Sequence, residues 1–431
     1  MTSQILWFRA SFGDSRLYEF SCVAEQMLGY SLCWCWDEEI QLLDGGDIGP
    51  NLVQKLPPLT GQEIQILANA AQRTMACKGI FSVLAEGSSK EECLKMLQKN
   101  PPIAFSEHLN GPWCFRFAQI GKGNRFSPNT RREIVETFGQ VISKLHEYPV
   151  QIENPEHELY FVEDHRRPMG VSSMKKQHAP RHVWLFYKHN HNPNIAHIRE
   201  WEDRLALTKR AFLSATTMEA SRSLQLANMA VEGDGSGKTL VDPFCGSGSL
   251  LLAATALGAS CVGSDKQHYL LLRHERRLAI PASKGRENRG DEKVSFFTNF
   301  TEQKLPEPTI LSSLDIFSDE AVSKLLEANK GQPFDCVLTD PPYGLRASKT
   351  ESTHELLKRL FFVSNQLTKS EGLLVFLFPE EANVHEIPNL VVQHEIYSLA
   401  KEFSFQIQNL GWERFQQNNI RMIAVLKNIG E

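Results

Sequence analysis

The sequence has no run of apolar residues long enough to cross a membrane as a helix. Its longest weakly polar stretch, Leu250 to Val262, is broken by Gly258 and Ser260 and stops well short of the roughly 20 residues a span needs. Nor is a targeting segment expected: Met1 to Trp7 offers no basic flank leading into an apolar stretch, and Asp14 arrives early. The expectation is a cytoplasmic protein without membrane contact, the nucleus being the alternative. No C-x-x-C pair occurs among the nine cysteines, which are odd in number and mostly embedded in apolar stretches. That pattern excludes a disulfide framework and predicts reduced core thiols. Cys33 and Cys35 are one residue apart with no His or Cys pair at finger spacing, so no metal is expected. Positive charge is not in excess: 46 Lys and Arg against 51 Asp and Glu leave −5, which argues against a generic polyanion binder. Internal repeats are not evident.

What is present is an ordinary globular composition, 42% hydrophobic and 23% charged over 431 residues, a length that calls for two or three cores. The charge is unevenly placed. Residues 115–132 carry Arg116, Lys122, Arg125, Arg131 and Arg132 without an acid, interleaved with Phe115, Phe117 and Phe126. Residues 165–192 carry Arg166, Arg167, Lys175, Lys176, Arg181 and Lys188 with five histidines, again without an acid. Such stretches inside an acidic protein suit a phosphate backbone; a solvated face or a flexible basic linker is the alternative.

Up to about Asp164, short β-rich runs alternate with amphipathic helices, as in an α+β region. Strands are expected at Leu6 to Phe12, Tyr30 to Trp36 and Gly79 to Ala85, and helices at Phe20 to Leu28 and near Gly61 to Met75. Ser88 with Glu91 three residues on has capping-box spacing. From Arg131 to His146, the residues Ile134, Val135, Phe138, Val141, Ile142 and Leu145 share one helical face. After Pro168 the composition turns polar and regular apolar periodicity lapses except at Val183 to Tyr187, and a basic linker is expected over 166–200. From about Trp201, alternating strands and helices predict a doubly wound parallel sheet.

The chemistry gathers in that second part. Thr239 to Asp242 reads as a buried strand running into Pro243-Phe244-Cys245-Gly246-Ser247-Gly248-Ser249 and then an apolar helix. Glycines there let a backbone approach a ligand, and the helix start presents free N–H groups. A second strand ends at Asp265, where an acid can grip a ribose diol. The turn lacks the G-x-G-x-x-G of a dinucleotide site and the G-K-[ST] of a P-loop. An adenosyl ligand without phosphates fits better, namely S-adenosylmethionine. Further on, the strand Phe334 to Thr339 ends in Asp340-Pro341-Pro342-Tyr343-Gly344. The two prolines stiffen the loop and expose the preceding carboxylate at the ligand-binding edge of the sheet.

D-P-P-Y resembles the substrate-amine loop of amino-methyltransferases acting on nucleobases, and D-P-F-x-G-S-G is like their cofactor motif. With Lys209 to Met218, Asn154 to Phe161 and Asp340 to Arg346, the chain resembles the THUMP-containing tRNA (guanine-N2) methyltransferases that modify guanosine 10. The resemblance is good across about 200 to 345 and loose across 1 to 165. Ser247 stands where Thr is commoner, and the segment 165–199 is longer and more basic than the family's pattern.

The resemblance implies a Rossmann-like class I methyltransferase domain over 201–431. An α+β N-terminal region would precede it, ferredoxin-like over 1–58 and THUMP over 59–165, holding tRNA. It further implies a small zinc-binding activator subunit as a heterodimeric partner. Asp242, Gly246 and Gly248, with Phe244 in the same loop, would line the methionine end of the cofactor, and Asp265 would accept from the ribose. Asp315 would approach the adenine amine, a surface acid being the alternative. Thr217 would bond the methionine carboxylate or cap a helix. Asp340 can accept both N–H donors of the guanine Watson–Crick edge, and the Pro341 carbonyl would share the exocyclic amine. Tyr343 would stack on the flipped base, and Arg346 would meet a phosphate or a surface acid. Alternative functions are N2-guanine methylation of another structured RNA such as a small nuclear RNA, a non-catalytic RNA-binding subunit, and DNA adenine methylation.

Overall fold

A computed structural model describes residues 3–9, 15–29, 53–56, 58–120, 125–165, 180–194, 197–214, 217–266, 295–342, 353–381, 390–416 and 419–430. In the first part of the chain the elements are β1 (Gln4–Phe8), α1 (Arg16–Leu28), β2 (Val53–Lys55), α2 (Gly61–Gln72), β3 (Cys77–Gly87), α3 (Lys90–Lys99), α4 (Ile103–His108), β4 (Trp113–Ile120), α5 (Pro128–Val141), β5 (His157–Asp164) and β6 (His182–Lys188). The strands form one sheet in the order β2-β1-β3-β6-β5-β4. Only β4 and β5 run parallel. Successive residues of a strand face opposite sides, and here both sides are apolar. Leu159, Phe161, Val183 and Leu185 pack with Leu97, Ile134, Phe138 and Leu145 on one side. Val162 and Phe186 pack with Ile5, Trp7 and Phe81 on the other.

The expected apolar face of α5 is the one that packs, continued by a short 3-10 turn at Ser143–Glu147. Three expectations shift. The first strand ends at Phe8 instead of Phe12. The cap of α3 is Ser89, whose hydroxyl accepts from Glu92 N at 3.2 Å, while Glu92 reaches back to Ser88 N at 2.7 Å, one residue later than the spacing suggested. The stretch 166–200 is not a linker throughout, because its one apolar run is β6, a central strand paired on both edges with Val183, Leu185 and Phe186 fully buried. The expected strand Tyr30 to Trp36 lies outside the described residues.

Met1–Arg9, Ser31–Gln72 and Cys77–Ile195 make one compact unit, and Ala10–Tyr30, Arg73–Ala76 and Ala196–Glu431 make the other. The second unit continues with α6 (Ile198–Arg204), α7 (Ala220–Ala230), β7 (Thr239–Asp242), α8 (Ser249–Ala256), β8 (Ser260–Asp265), α9 (Thr298–Glu302), β9 (Thr309–Ser312), α10 (Ala321–Ala328), β10 (Phe334–Thr339), α11 (Thr353–Leu367), β11 (Thr368–Glu381), α12 (Leu390–Glu402), β12 (Phe405–Gln416) and β13 (Asn419–Asn428). Its sheet has the order β9-β8-β7-β10-β11-β13-β12. It is parallel from β9 to β11, and β13 runs antiparallel to both its neighbours. Near-continuous apolar strands such as Cys336–Leu338 and Leu373–Leu377 are buried on both faces, as a Rossmann-like sheet with helices on either side requires. Chain order reverses between β7 and β10, and the C-terminal ends of strands at such a point are where sheets of this kind bind ligands.

Helix α1 is part of this second unit. Its Glu19, fully buried, accepts from Met75 N at 2.7 Å, Ala76 N at 3.0 Å and Asn228 Nδ2 of α7 at 2.9 Å. Burial pushes its carboxyl up to about 7 despite these donors. Among the described residues no helix is long and apolar enough to cross a membrane. All described cysteines are free thiols and all but Cys22 are buried, as expected for core residues.

Candidate active site

Pro243 has no N–H to continue the ladder, so β7 ends at Asp242 and the chain turns. Asp242 is 2% exposed. Its Oδ1 accepts from Phe244 N at 3.0 Å and from the Thr339 hydroxyl, at the tip of neighbouring β10, at 2.6 Å. Burial pushes the Asp242 carboxyl up to about 7; the negative charges of Asp340 and Asp265 push the same way, and the two donors oppose them. Three acids from the ends of β7, β8 and β10 thus feel one another at the point of chain reversal.

The two loop glycines differ in what they make possible. Gly246 has φ 49°, donates its N–H to Asp265 Oδ2 at 3.0 Å, and would place a Cβ no closer than 3.9 Å to its nearest neighbour, Phe244 O. Gly248 has φ 79°, and a Cβ there would fall 2.4 Å from the ring of Phe296. Gly246 is therefore where a ligand can approach the backbone, whereas Gly248 lets Phe296 pack under the loop. Half-buried Phe244 lies between them and Asp242.

Thr217 accepts from Ser214 N at 2.7 Å and reaches the Ser247 hydroxyl at 3.0 Å, tying the segment before α7 to the glycine loop. It is not the cap of α7, a position held by Glu219. Asp315, just past β9, pairs with Lys266 at 2.6 Å and accepts from Phe317 N at 3.0 Å. Burial works against its ionisation, but the Lys266 ammonium and that N–H hold its carboxyl below the ordinary range.

Asp340 is exposed, between a fully buried Thr339 and a buried Pro341, with Pro342 exposed beyond. Its negative charge and that of Glu219 act on the guanidinium of Arg421 in β13. Tyr343 and Arg346 lie outside the described residues, as does Lys122. Sequence reasoning missed Thr339, Phe296, Lys266 and Arg421. Only Arg421 carried a local signal, a cation directly before the apolar run 422–426.

In the first unit, Arg125, Arg131 and Arg132 are exposed before and within the first turns of α5, and Arg131 lies over the Phe117 ring at 5.5 Å. Arg116 is engaged by the protein itself, with Ile152 O at 2.9 Å and Glu158 at 3.7 Å. Among the described residues no cluster of His, Cys, Asp and Glu is arranged to hold a metal.

Residues 207–400 match the family described as RMKL-like, methyltransferase domain. The chain is 29% identical over 282 residues to the tRNA (guanine(10)-N(2))-methyltransferase of Schizosaccharomyces pombe, covering 64% of this chain and 50% of that protein. It is 27% identical over 298 residues to the tRNA (guanine(10)-N(2))-methyltransferase TRMT11 of Rattus norvegicus, with coverage of 68% and 58%. For the protein of that name in Dictyostelium discoideum the identity is 22% over 364 residues, with coverage of 80% and 63%. The chain thus spans between half and just under two-thirds of the length of these relatives. The chain is thus similar to tRNA (guanine(10)-N(2))-methyltransferases, and its residues 207–400 match the RMKL-like methyltransferase domain.

Proposed function

We propose that this protein transfers the methyl group of S-adenosylmethionine to the exocyclic N2 of guanosine in tRNA, at position 10 by its kinship. The observation that carries this is the meeting of two loops at the reversal point of the sheet, the glycine loop after Asp242 and the Asp340-Pro341-Pro342 loop, joined by the Thr339–Asp242 hydrogen bond. The residues present fit the cofactor. A Cβ at Gly246 would meet nothing closer than Phe244 O at 3.9 Å, Asp265 stands at the tip of β8 for a ribose, and Asp242 and Asp265 supply negative potential for a sulfonium and an ammonium. When bound, the cofactor supplies an electrophilic methyl on sulfur.

The remaining work belongs to the chain. The guanine amine is a poor nucleophile because its lone pair is conjugated with the ring. Asp340, exposed at the edge, would accept the N1 and N2 hydrogens, with the Pro341 carbonyl taking the second N2 hydrogen. Held that way, the amine is oriented for attack, and Asp340 is placed to take the proton as the new bond forms. Tyr343 would stack on the extruded base, as its place in D-P-P-Y suggests, and Arg346 would meet a phosphate. Thr217, through Ser247, and Asp315, through Lys266, would act at the methionine and adenine ends of the cofactor.

We assign the ferredoxin-like and THUMP regions to the unit holding β1 to β6, with Arg125, Arg131, Arg132 and Lys122 as its phosphate contacts and Arg116 in a supporting ion pair. For the zinc-binding activator subunit, the edge strand β9 with half-buried Ile310 and Leu311 offers a place for strand addition. The test is transfer of labelled methyl to unmodified tRNA, with and without the activator, followed by nucleoside analysis. N2-methylguanosine that vanishes in Asp340→Ala is the expected result. Cofactor binding without product on tRNA would move the substrate to another RNA, and no cofactor binding even with the partner would favour a non-catalytic RNA-binding subunit.

A further inference from the structure

We propose that Thr339 is a positioning residue that locks the cofactor loop to the base-holding loop through its hydroxyl on the Asp242 carboxylate. The inference rests on the reading that Asp242 stands against the cofactor. Thr339 is the last residue of β10 and is fully buried. Its Oγ1 donates to Asp242 Oδ1 at 2.6 Å, the same oxygen that receives Phe244 N at 3.0 Å. β10 and β7 are parallel neighbours with Val337 opposite Val241, so Thr339 lies just past the tip of β7 and reaches back to its last side chain. The next residue in the chain is Asp340. A shift of the Asp242 carboxylate is therefore passed through one hydrogen bond and one peptide unit to the group that meets the base.

The residue type fits two demands at once. A β-branched side chain suits a buried strand end, and a hydroxyl supplies a donor to a carboxylate that burial disfavours as an anion. Valine satisfies the first and not the second. The charges of Asp265, at the tip of β8, and of Asp340, just past β10, act on Asp242, and Asp242 in turn acts on the thiols of Cys245 and Cys261. Asp340 also acts on the Arg421 guanidinium of β13. Without the Thr339 donor, Asp242 holds its proton to higher pH and presents less negative charge to a cationic ligand.

The test is calorimetric titration of S-adenosylmethionine into the full-length wild type, Thr339→Val and Thr339→Ser across about pH 6 to 9, with melting curves alongside. The wild type is expected to bind more tightly as pH rises through about 7, where Asp242 ionises. In Thr339→Val that rise moves up by about one pH unit and affinity near neutrality falls about tenfold. Thr339→Ser stays within about twofold of wild type. If Thr339→Val does not fold, Thr339→Ala removes the same donor and is compared with Thr339→Ser in its place. A donor-less variant that folds and keeps the wild-type pH profile overturns the inference while leaving the cofactor site standing. A wild type that binds no cofactor at any pH overturns the cofactor site and the inference with it.

Discussion

The loops after β7 and β10 leave neighbouring strands at the same edge of one sheet, yet they are built in opposite ways. Asp242 is 2% exposed and receives two donors on one oxygen, Gly246 is fastened to Asp265, and Gly248 rests on Phe296. Asp340, by contrast, stands exposed where its strand ends. A cradle that must hold one ligand in one place gains from being formed beforehand. A carboxylate that must meet an incoming base has to be reachable. On the proposed function, the contrast separates holding from reacting, and it places the separation between two residues linked by a single side chain, Thr339.

The largest expected effect breaks the reactive side. Asp340→Asn should lower kcat about 10³-fold, since both orientation and proton acceptance are lost; single-turnover methyl transfer reads this, and an unchanged rate would remove Asp340 from the chemistry. Next comes the holding side. Gly248→Ala places a Cβ 2.4 Å from the Phe296 ring at φ 79°, so a loss of about 3 kcal/mol in denaturant melts is expected from overpacking and left-handed strain.

Glu19 sharpens the comparison, being a buried carboxylate like Asp242 but remote from the edge. Its carboxyl is raised from 4.5 to about 7 in the folded state. The folded protein therefore binds this proton more tightly than the unfolded chain. The corresponding stability is fully present below about 4.5 and is lost as pH rises through about 7. Glu19→Gln should flatten the fall in stability across that window by about 3 kcal/mol, which melts at several pH values would show. The smallest effect lies in the other unit, where charge reversal at Arg131 and Arg132 should weaken tRNA binding severalfold and make its salt dependence shallower by about one unit per lost phosphate contact. Cofactor affinity should not change, as titration of both ligands into the same variant would establish.

The strand, glycine turn and helix at Asp242, and the acid and prolines at Asp340, were legible because their signals are local: each lies within a few consecutive residues. The helical face of α5 was legible for the same reason. What escaped is long-range. Thr339 meets Asp242 across 97 residues, and Phe296 under Gly248 announces itself by no spacing. Helix α1 reads as part of the N-terminal region, but Glu19 finds partners 56 and 209 residues away, in the second unit. The apolar run Val183 to Tyr187 was visible but short and flanked by basic, histidine-rich residues, so composition outweighed the pattern and placed β6 in the linker. Of the arginines singled out by charge alone, Arg116 is taken up by an ion pair with Glu158 on the paired strand β5, a partner remote in sequence that composition does not reveal.

The most direct test of the division between holding and reacting is the affinity of Asp340→Asn for S-adenosylmethionine, measured beside Asp242→Asn and the wild type. The account predicts that Asp340→Asn binds the cofactor within about twofold of wild type while Asp242→Asn binds it at least about tenfold more weakly. A loss of affinity in Asp340→Asn as large as that in Asp242→Asn would contradict it, because the two loops would then be one binding site without separate roles.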